Sequence, residues 1–357
     1  MVESGKKVTI KHVAVRAGVS PATVSLVVQG KGNLKDETRE AVKRAIQETG
    51  YLRKPLVSQY EVGKQYVLIV DDISNPYFHS LYKGLDKGLS EAGHFATLLS
   101  SNDSVARQTH LLNDLWNCDI GGIILVPATG TKEDDLQVCA NRAHPVILAV
   151  RRIGQTSFGY VGANPTVGMQ IATNRLIALG NRNIAFVGGY QSNYAYGERY
   201  AGFATSLMNH KLQLNAEFII NGGSTREFGR EAAEKLLGKH NRPEAIIAYN
   251  DLVAIGVLDA IYAAGLQPGK DIAVIGYDDI PEAALQRVPL TTVATPAFTL
   301  GEVIAQAIKN RTSDGTEDNP IDISYPPRLI IRESCGGAMQ STNANTIGDA
   351  HGSAADI

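Results

Sequence analysis

A chain of 357 residues with 44% apolar residues is long enough for two or three domains with sizeable cores. Its 3 cysteines, Cys118, Cys139 and Cys335, are odd in number and widely spaced; they offer no disulfide framework or metal pattern and suit a reducing compartment. The net charge of −2 hides a split: residues 1–60 carry 11 basic and 5 acidic side chains (+6), the remainder 23 and 31 (−8), so a basic head suited to a polyanion precedes an acidic body.

The first residues are polar, with no apolar leader segment, and no run approaches the roughly 20 apolar residues that cross a bilayer, so a cytoplasmic location and no membrane partner are expected. Within VTIKHVAVRAGVSPATVSLVV (8–28), Ile10, Val13, Ala14 and Ala17 recur at helical spacing. Thr9 is placed to cap this helix and Gly18 to end it in a left-handed conformation. Ser20 then caps a second helix with Pro21 at its first position, where a missing N–H costs nothing. Val24, Val27 and Val28 form the buried face of that helix, leaving Pro21, Ala22, Ser25, Leu26 and Gln29 outward. A third helix is expected over 36–49, with Val42, Ala45 and Ile46 inward and Gly50 as its stop. Two short helices about a glycine turn fit a helix-turn-helix, in which the second helix enters the major groove.

VTIKHVAVRAGVSPATVS followed by ETREAVKRAIQETGY resembles the head of the LacI/GalR repressor family. The resemblance implies an all-α DNA-binding domain over 1–52. Its base-reading positions would be Pro21, Ala22 and Leu26. Thr9, Ser20, Thr23, Ser25, Gln29, Asn33 and Tyr51 would complete the DNA-contacting set. Three positions depart from the family pattern. Leu26 stands where the family often has an arginine that grips guanine. His12 replaces an aspartate and is expected to weaken the capping box, and Lys35 replaces a serine cap. The hinge, RKPLVSQYEVGK (53–64), differs more: Tyr60 occupies the place of a leucine that wedges into the minor groove. Arg53 and Lys54 are expected phosphate contacts, with Tyr60 as the wedge.

From residue 65, apolar runs at 66–70, 95–99, 122–126, 145–150, 183–188, 244–249 and 272–277 alternate with helical patterns near 76–92, 104–117, 166–179, 195–210, 226–238, 251–264 and 297–310. Continuous apolar strands separated by helices read as parallel sheets covered on both faces, here as two doubly wound lobes. A ligand is expected in the cleft between them, at the carboxyl ends of the strands.

NPYF (75–78), ERYAGF (198–203), YNDLVAIGVLDAI (249–261) and VIGYDD (274–279) resemble the family's sensor, which is similar to a periplasmic sugar-binding protein. That implies an effector-binding and dimerisation domain over 65–335. Lobe one would hold 65–163 and 294–323, and lobe two 164–293 and 324–335. Arg199, Asn250 and Asp278 would be polar effector contacts, with Tyr77 and Phe78 from lobe one. Arg151 follows the position where sugar-binding relatives often carry an aspartate, and it hints at an anionic effector. Near Ser224 the usual stacking aromatic is missing; Tyr190, Tyr194 and Phe158 are the candidates to replace it. The tail, 336–357, is small and polar and is expected to be disordered.

These readings combine into a repressor that binds a near-palindromic double-stranded operator as a homodimer, controlled by a small polar effector (a sugar or sugar phosphate), with no cofactor and no metal. An enzyme on a doubly wound fold is the first alternative. It lacks a phosphate-binding GxxxxGK[ST] loop and a strand followed by GxGxxG. A soluble sugar-binding protein is the second, opposed by the basic head.

Overall fold

A computed structural model describes residues 8–28, 34–51, 64–115, 118–140, 145–154, 156–314 and 321–337. The head has three helices: α1 (Ile10–Ala17), α2 (Pro21–Val28) and α3 (Asp36–Thr49). Val13, Ala14, Val24, Val42, Ala45 and Ile46 form its buried core, with Val27, Val28 and Tyr51 packed partly against it. Gly18 adopts φ 66°, and the chain turns there without the steric cost a β-carbon would bring. The α3 helix ends at Gly50 in the same conformation, φ 65°.

The weakened capping box expected at His12 is not what forms. Imidazole Nδ1 of His12 accepts the Thr9 backbone N–H at 3.0 Å, as the missing carboxylate would have done. Lys35 does leave α3 without a side-chain cap, and Asp36 and Glu37 in the first turn complement the helix dipole instead.

The body begins with β1 (Gln65–Val70), α4 (Pro76–Ser90), β2 (Phe95–Ser100), α5 (Val105–Leu115), β3 (Gly122–Leu125), α6 (Gln137–Ala140), β4 (Val146–Ala149) and β5 (Gly159–Ala163). It continues with α7 (Pro165–Ala178), β6 (Ile184–Val187), α8 (Tyr194–Asn209), β7 (Ile219–Ile220), α9 (Arg226–Leu237), β8 (Ala245–Ala248) and α10 (Asp251–Ala263). The last elements are β9 (Ala273–Asp278), α11 (Pro281–Ala284), β10 (Thr291–Ala294), α12 (Ala297–Asp314), β11 (Asp322–Tyr325) and β12 (Arg328–Ile330).

Two six-stranded sheets result, in the orders β11-β5-β4-β3-β1-β2 and β12-β10-β9-β8-β6-β7. The central strands are buried on both faces, which explains their unbroken apolar runs. Among the described strands, all pairings are parallel except β12 with β10, which is antiparallel. The chain changes sheet three times: after β5, after β10 and after β11. In the last passage Tyr325 still pairs with Ala163, so lobe one's sheet runs two residues past the expected boundary at 323.

Helix pairs α4 with α12, α7 with α8 and α9 with α10 cover the sheets. Close approach of α7 and α8 depends on Gly202, where an added β-carbon would stand 2.2 Å from the Thr166 carbonyl oxygen. No helix among the described residues is long and apolar enough to cross a membrane.

Candidate functional site

The head presents one surface of interest. Ser20 Oγ accepts the Thr23 backbone N–H at 3.1 Å, which fixes the start of α2. Pro21, Ala22 and Leu26 lie exposed on that helix, Leu26 at 39%, whereas Thr23 and Ser25 are half-buried. Thr9 is exposed beside the first turn of α1, and Tyr51 is half-buried against the core. Arg16 of α1 pairs with Glu48 of α3 at 2.6 Å and so ties the scaffold, not the reading edge. The remaining DNA-contact expectations, Gln29, Asn33, Arg53, Lys54 and Tyr60, lie outside the described residues, as does the tail from 338.

In the body, the carboxyl ends of β3 and β4 face the first turn of α8 across a cleft of about 490 Å³. Lobe one contributes Thr131, Arg151 and Arg152, and lobe two Asn193, Tyr194 and Glu198. Two bonds join the lobes around this junction. Asn193 Nδ2 donates to Thr129 Oγ1 at 3.2 Å, and Asn75 Nδ2 donates to Asp278 Oδ2 at 3.5 Å. Both asparagines are also helix caps, of α8 and α4, so the bonds are anchored at element ends.

Arg151 is brought into the junction by a backbone outlier. Val150 has φ 65°, which a β-branched residue rarely adopts, and so redirects the chain after β4. The Arg151 guanidinium then meets Asp71 at 2.7 Å and Asp103 at 3.9 Å and donates to the Pro127 carbonyl at 3.3 Å. Burial alone would lower the arginine's pKa; the Asp71 carboxylate, with Tyr249 and Asp103 behind it, outweighs that and holds the guanidinium charged. Burial in turn pushes the Asp71 carboxyl up, against the pull of Arg151. An anion-seeking arginine is therefore already answered from within the protein. Arg152 is answered too, by Asp322 at 2.6 Å and by the Tyr160 ring beneath it at 3.7 Å.

A second buried pair lies deeper. Arg199 Nη1 donates to the Tyr249 carbonyl oxygen, and its guanidinium sits 3.8 Å from the Tyr277 ring centre and 4.4 Å from that of Tyr249. Its Nη2 stands 3.6 Å from Asp278, whose backbone has φ 115° and whose carboxyl burial pushes up to about 6. Arg199 Nε and Asp71 Oδ1 are among the buried polar atoms of the described residues that have no protein partner, and such atoms ordinarily meet water or ligand.

The expected effector residues separate on this map. Arg151 lines the main cleft. Tyr77 and Asp278 line a second void of about 330 Å³ together with Thr295, Phe298 and Arg332. Arg199, Asn250 and Phe78 line neither. Asn250 caps α10 through the Val253 N–H at 2.9 Å and donates to the Ser224 carbonyl at 3.0 Å. Phe78 is 3% exposed and packs edge-on against Tyr77, whose hydroxyl accepts from Thr295.

Sequence reasoning missed Asn193, Glu198 and Asp251. Asn193 precedes a helical pattern and was legible as a cap, but its reach across the cleft was not. Asp251 is fully buried, accepting from Thr292 Oγ1 at 2.6 Å and the Ile280 N–H at 2.9 Å; burial drives its carboxyl well up. It ties α10 to the segment that follows Asp278 at the end of β9. Among the described residues, no cluster of three or more metal-ligating side chains occurs.

A family model described as bacterial regulatory proteins, lacI family, matches residues 9–54, and one described as a periplasmic binding protein-like domain matches 173–335. Catabolite control protein A of Priestia megaterium is 30% identical over 331 residues, covering 92% of this chain and 99% of that protein. The maltose regulon regulatory protein MalI of Escherichia coli K12 is 29% identical over 338 residues, covering 92% and 98%. Among solved structures, the complex of the transcriptional regulator CelR with cellobiose superposes with a TM-score of 0.69 at 29% identity, covering 92% of this chain and 99% of that one.

Proposed function

Because this chain belongs to the lacI family of bacterial regulatory proteins, it is a DNA-binding transcription regulator and not an enzyme, and we propose that it is a cytoplasmic repressor released from or locked onto its operator by a small neutral sugar. The head binds a near-palindromic operator as half of a homodimer, since two-fold symmetry in the protein asks for it in the DNA. Pro21, Ala22 and Leu26 read base edges, while Thr9, Ser20, Thr23, Ser25 and Tyr51 orient the helix on the backbone. Gln29, Asn33, Arg53, Lys54 and Tyr60 complete the set. An apolar reading edge selects thymine methyl groups, not the guanine that a bidentate arginine would choose.

The observation that carries the effector class is the pairing of Arg151 with Asp71 at 2.7 Å. A cleft whose arginines are neutralised internally has hydrogen bonds to offer but no spare cation for a phosphate. CelR, of the same fold, holds cellobiose. In this chain Arg151 contacts the sugar directly, and Arg199, Asn250, Asp278, Tyr77 and Phe78 form the junction that the sugar must fit. Ligand acts only through unequal affinity for two arrangements of the lobes. The bonds Asn193 to Thr129 and Asn75 to Asp278 belong to one of those arrangements.

Footprinting on the DNA upstream of its own and neighbouring genes, with and without maltose, cellobiose and glucose 6-phosphate, tests this reading. Sequence-specific protection that a neutral sugar alters is the expected result. Absence of protection under every condition would refute it.

A further inference from the structure

A ring-shaped ligand needs a flat apolar surface as well as hydrogen-bond partners, and in the main cleft one side chain supplies it. Tyr194 is 47% exposed and lines the cleft among polar groups. Neither of the other aromatic candidates, Tyr190 and Phe158, lines it. Tyr196 and Tyr200 are stacked on each other, 5.8 Å between ring centres, and pack with Phe186.

The backbone under Tyr194 is held from both lobes. Asn193 accepts the Ala195 N–H at 2.9 Å, which starts α8, and donates to Thr129 across the cleft. On the opposite lip Gly154 faces the edge of the ring; a β-carbon there would lie 4.0 Å from Tyr194 Cε2. The ring therefore stands between the Asn193–Thr129 bond and Gly154 of lobe one. Arg151 and Arg152, the cations beside it, are each occupied by a carboxylate.

We propose that Tyr194 is the platform on which the effector's ring stacks, and that it sets the preference for cyclic sugars over open-chain polyols. The inference rests on the reading of this cleft as the effector site. A pyranose presents an axial C–H face beside an equatorial rim of hydroxyls. The C–H face matches the tyrosine ring, and the rim matches Thr131, Gln191, Asn193 and Glu198. Polar groups alone would bind sorbitol as well as glucose; an aromatic face distinguishes them.

Calorimetry on the full chain with cellobiose, maltose, glucose and sorbitol tests it. Wild type is expected to bind a cyclic sugar and to bind sorbitol more weakly. Tyr194→Ala should weaken the cyclic sugar about tenfold and leave sorbitol unchanged, whereas Tyr194→Phe should stay within about twofold of wild type. Melting temperatures of both variants should match wild type, because an exposed ring contributes little to the core. Equal affinity for the cyclic sugar in Tyr194→Ala would overturn the platform and leave the effector site standing. Equal losses for cyclic sugar and sorbitol, with a lowered melting temperature, would overturn it in favour of a structural role. Failure of wild type to bind any of the four would instead overturn the sugar-effector reading, and the platform with it.

Discussion

Replacing Asp71 with asparagine removes the nearer of the two charges that neutralise Arg151 and keeps the side chain's shape. The two side chains are 6% and 12% exposed and 2.7 Å apart. At an effective dielectric of about 20 their attraction is about 6 kcal/mol, much of it spent offsetting desolvation. Asp71→Asn leaves the guanidinium with Asp103 alone, at 3.9 Å. Breaking a buried pair from one side costs about 3–5 kcal/mol, which lowers the melting temperature of a unit of this size by roughly 10 °C. The same change frees a positive charge for ligand. Calorimetry should show wild type binding glucose at least as tightly as glucose 6-phosphate, and Asp71→Asn shifting that ratio toward the phosphate on the order of tenfold. A wild type that already prefers the phosphate refutes the idea of an internally neutralised cleft. So does a variant with unchanged melting and unchanged preference.

Leu26→Arg changes a 39% exposed side chain, so stability should move by no more than about 0.5 kcal/mol. Selection from randomised operators should then gain a guanine preference worth about 1–3 kcal/mol at one position per half-site, and an unaltered consensus would exclude Leu26 from the reading edge. Asp278, pushed up to about 6 by burial, keeps its proton in the folded chain where the unfolded carboxyl, near 3.8, has lost it. Its stabilising share is therefore full below about pH 4 and lost as pH rises through 6, a span of about 3 kcal/mol. Urea titrations of Asp278→Asn should gain on wild type across that window, and a pH-independent difference would show that the group titrates elsewhere. Gly202→Ala forces a β-carbon to within 2.2 Å of the Thr166 carbonyl and should cost at least about 2 kcal/mol; wild-type melting would mean that α7 and α8 do not pack as described.

Elements defined by local chemistry were legible in the sequence. Gly18 and Gly50 end their helices in the left-handed conformation expected of them, and Ser20 caps α2. The apolar runs at 66–70 and 272–277 are central strands because burial on both faces permits nothing polar between the apolar positions. Strands β5, GYVGA, and β10, TTVA, were not read, since small residues and threonine carry no hydrophobic period. Two-residue β7 and the short edge strands β11 and β12 are defined by the partners they meet and not by their own sequence.

The site was legible in its residue types and less so in their roles. Arg151 and Asp71 lie 80 positions apart, and Arg199 and Asp278 lie 79 apart. No local rule pairs them; the order of strands in the sheets does. For the same reason Arg151, which hinted at an anionic effector, meets a carboxylate of its own chain. At His12 the cap does not need an acid, because an imidazole nitrogen with a lone pair accepts the same N–H.

The passage of the chain from β11 to β12 governs the order in which the body can be finished. Synthesis delivers five strands of the first sheet by Ala163, then the strands of the second through Ala294, and only afterwards Asp322–Tyr325, which lies down beside β5. Until then β5 is an open edge with unsatisfied backbone groups, and β10 remains another until Arg328–Ile330 arrives. Nine residues near the end of the described chain thus seal both sheets almost together. Neither lobe corresponds to a contiguous gene segment, and a nascent chain interrupted shortly before residue 322 carries two sticky edges at once.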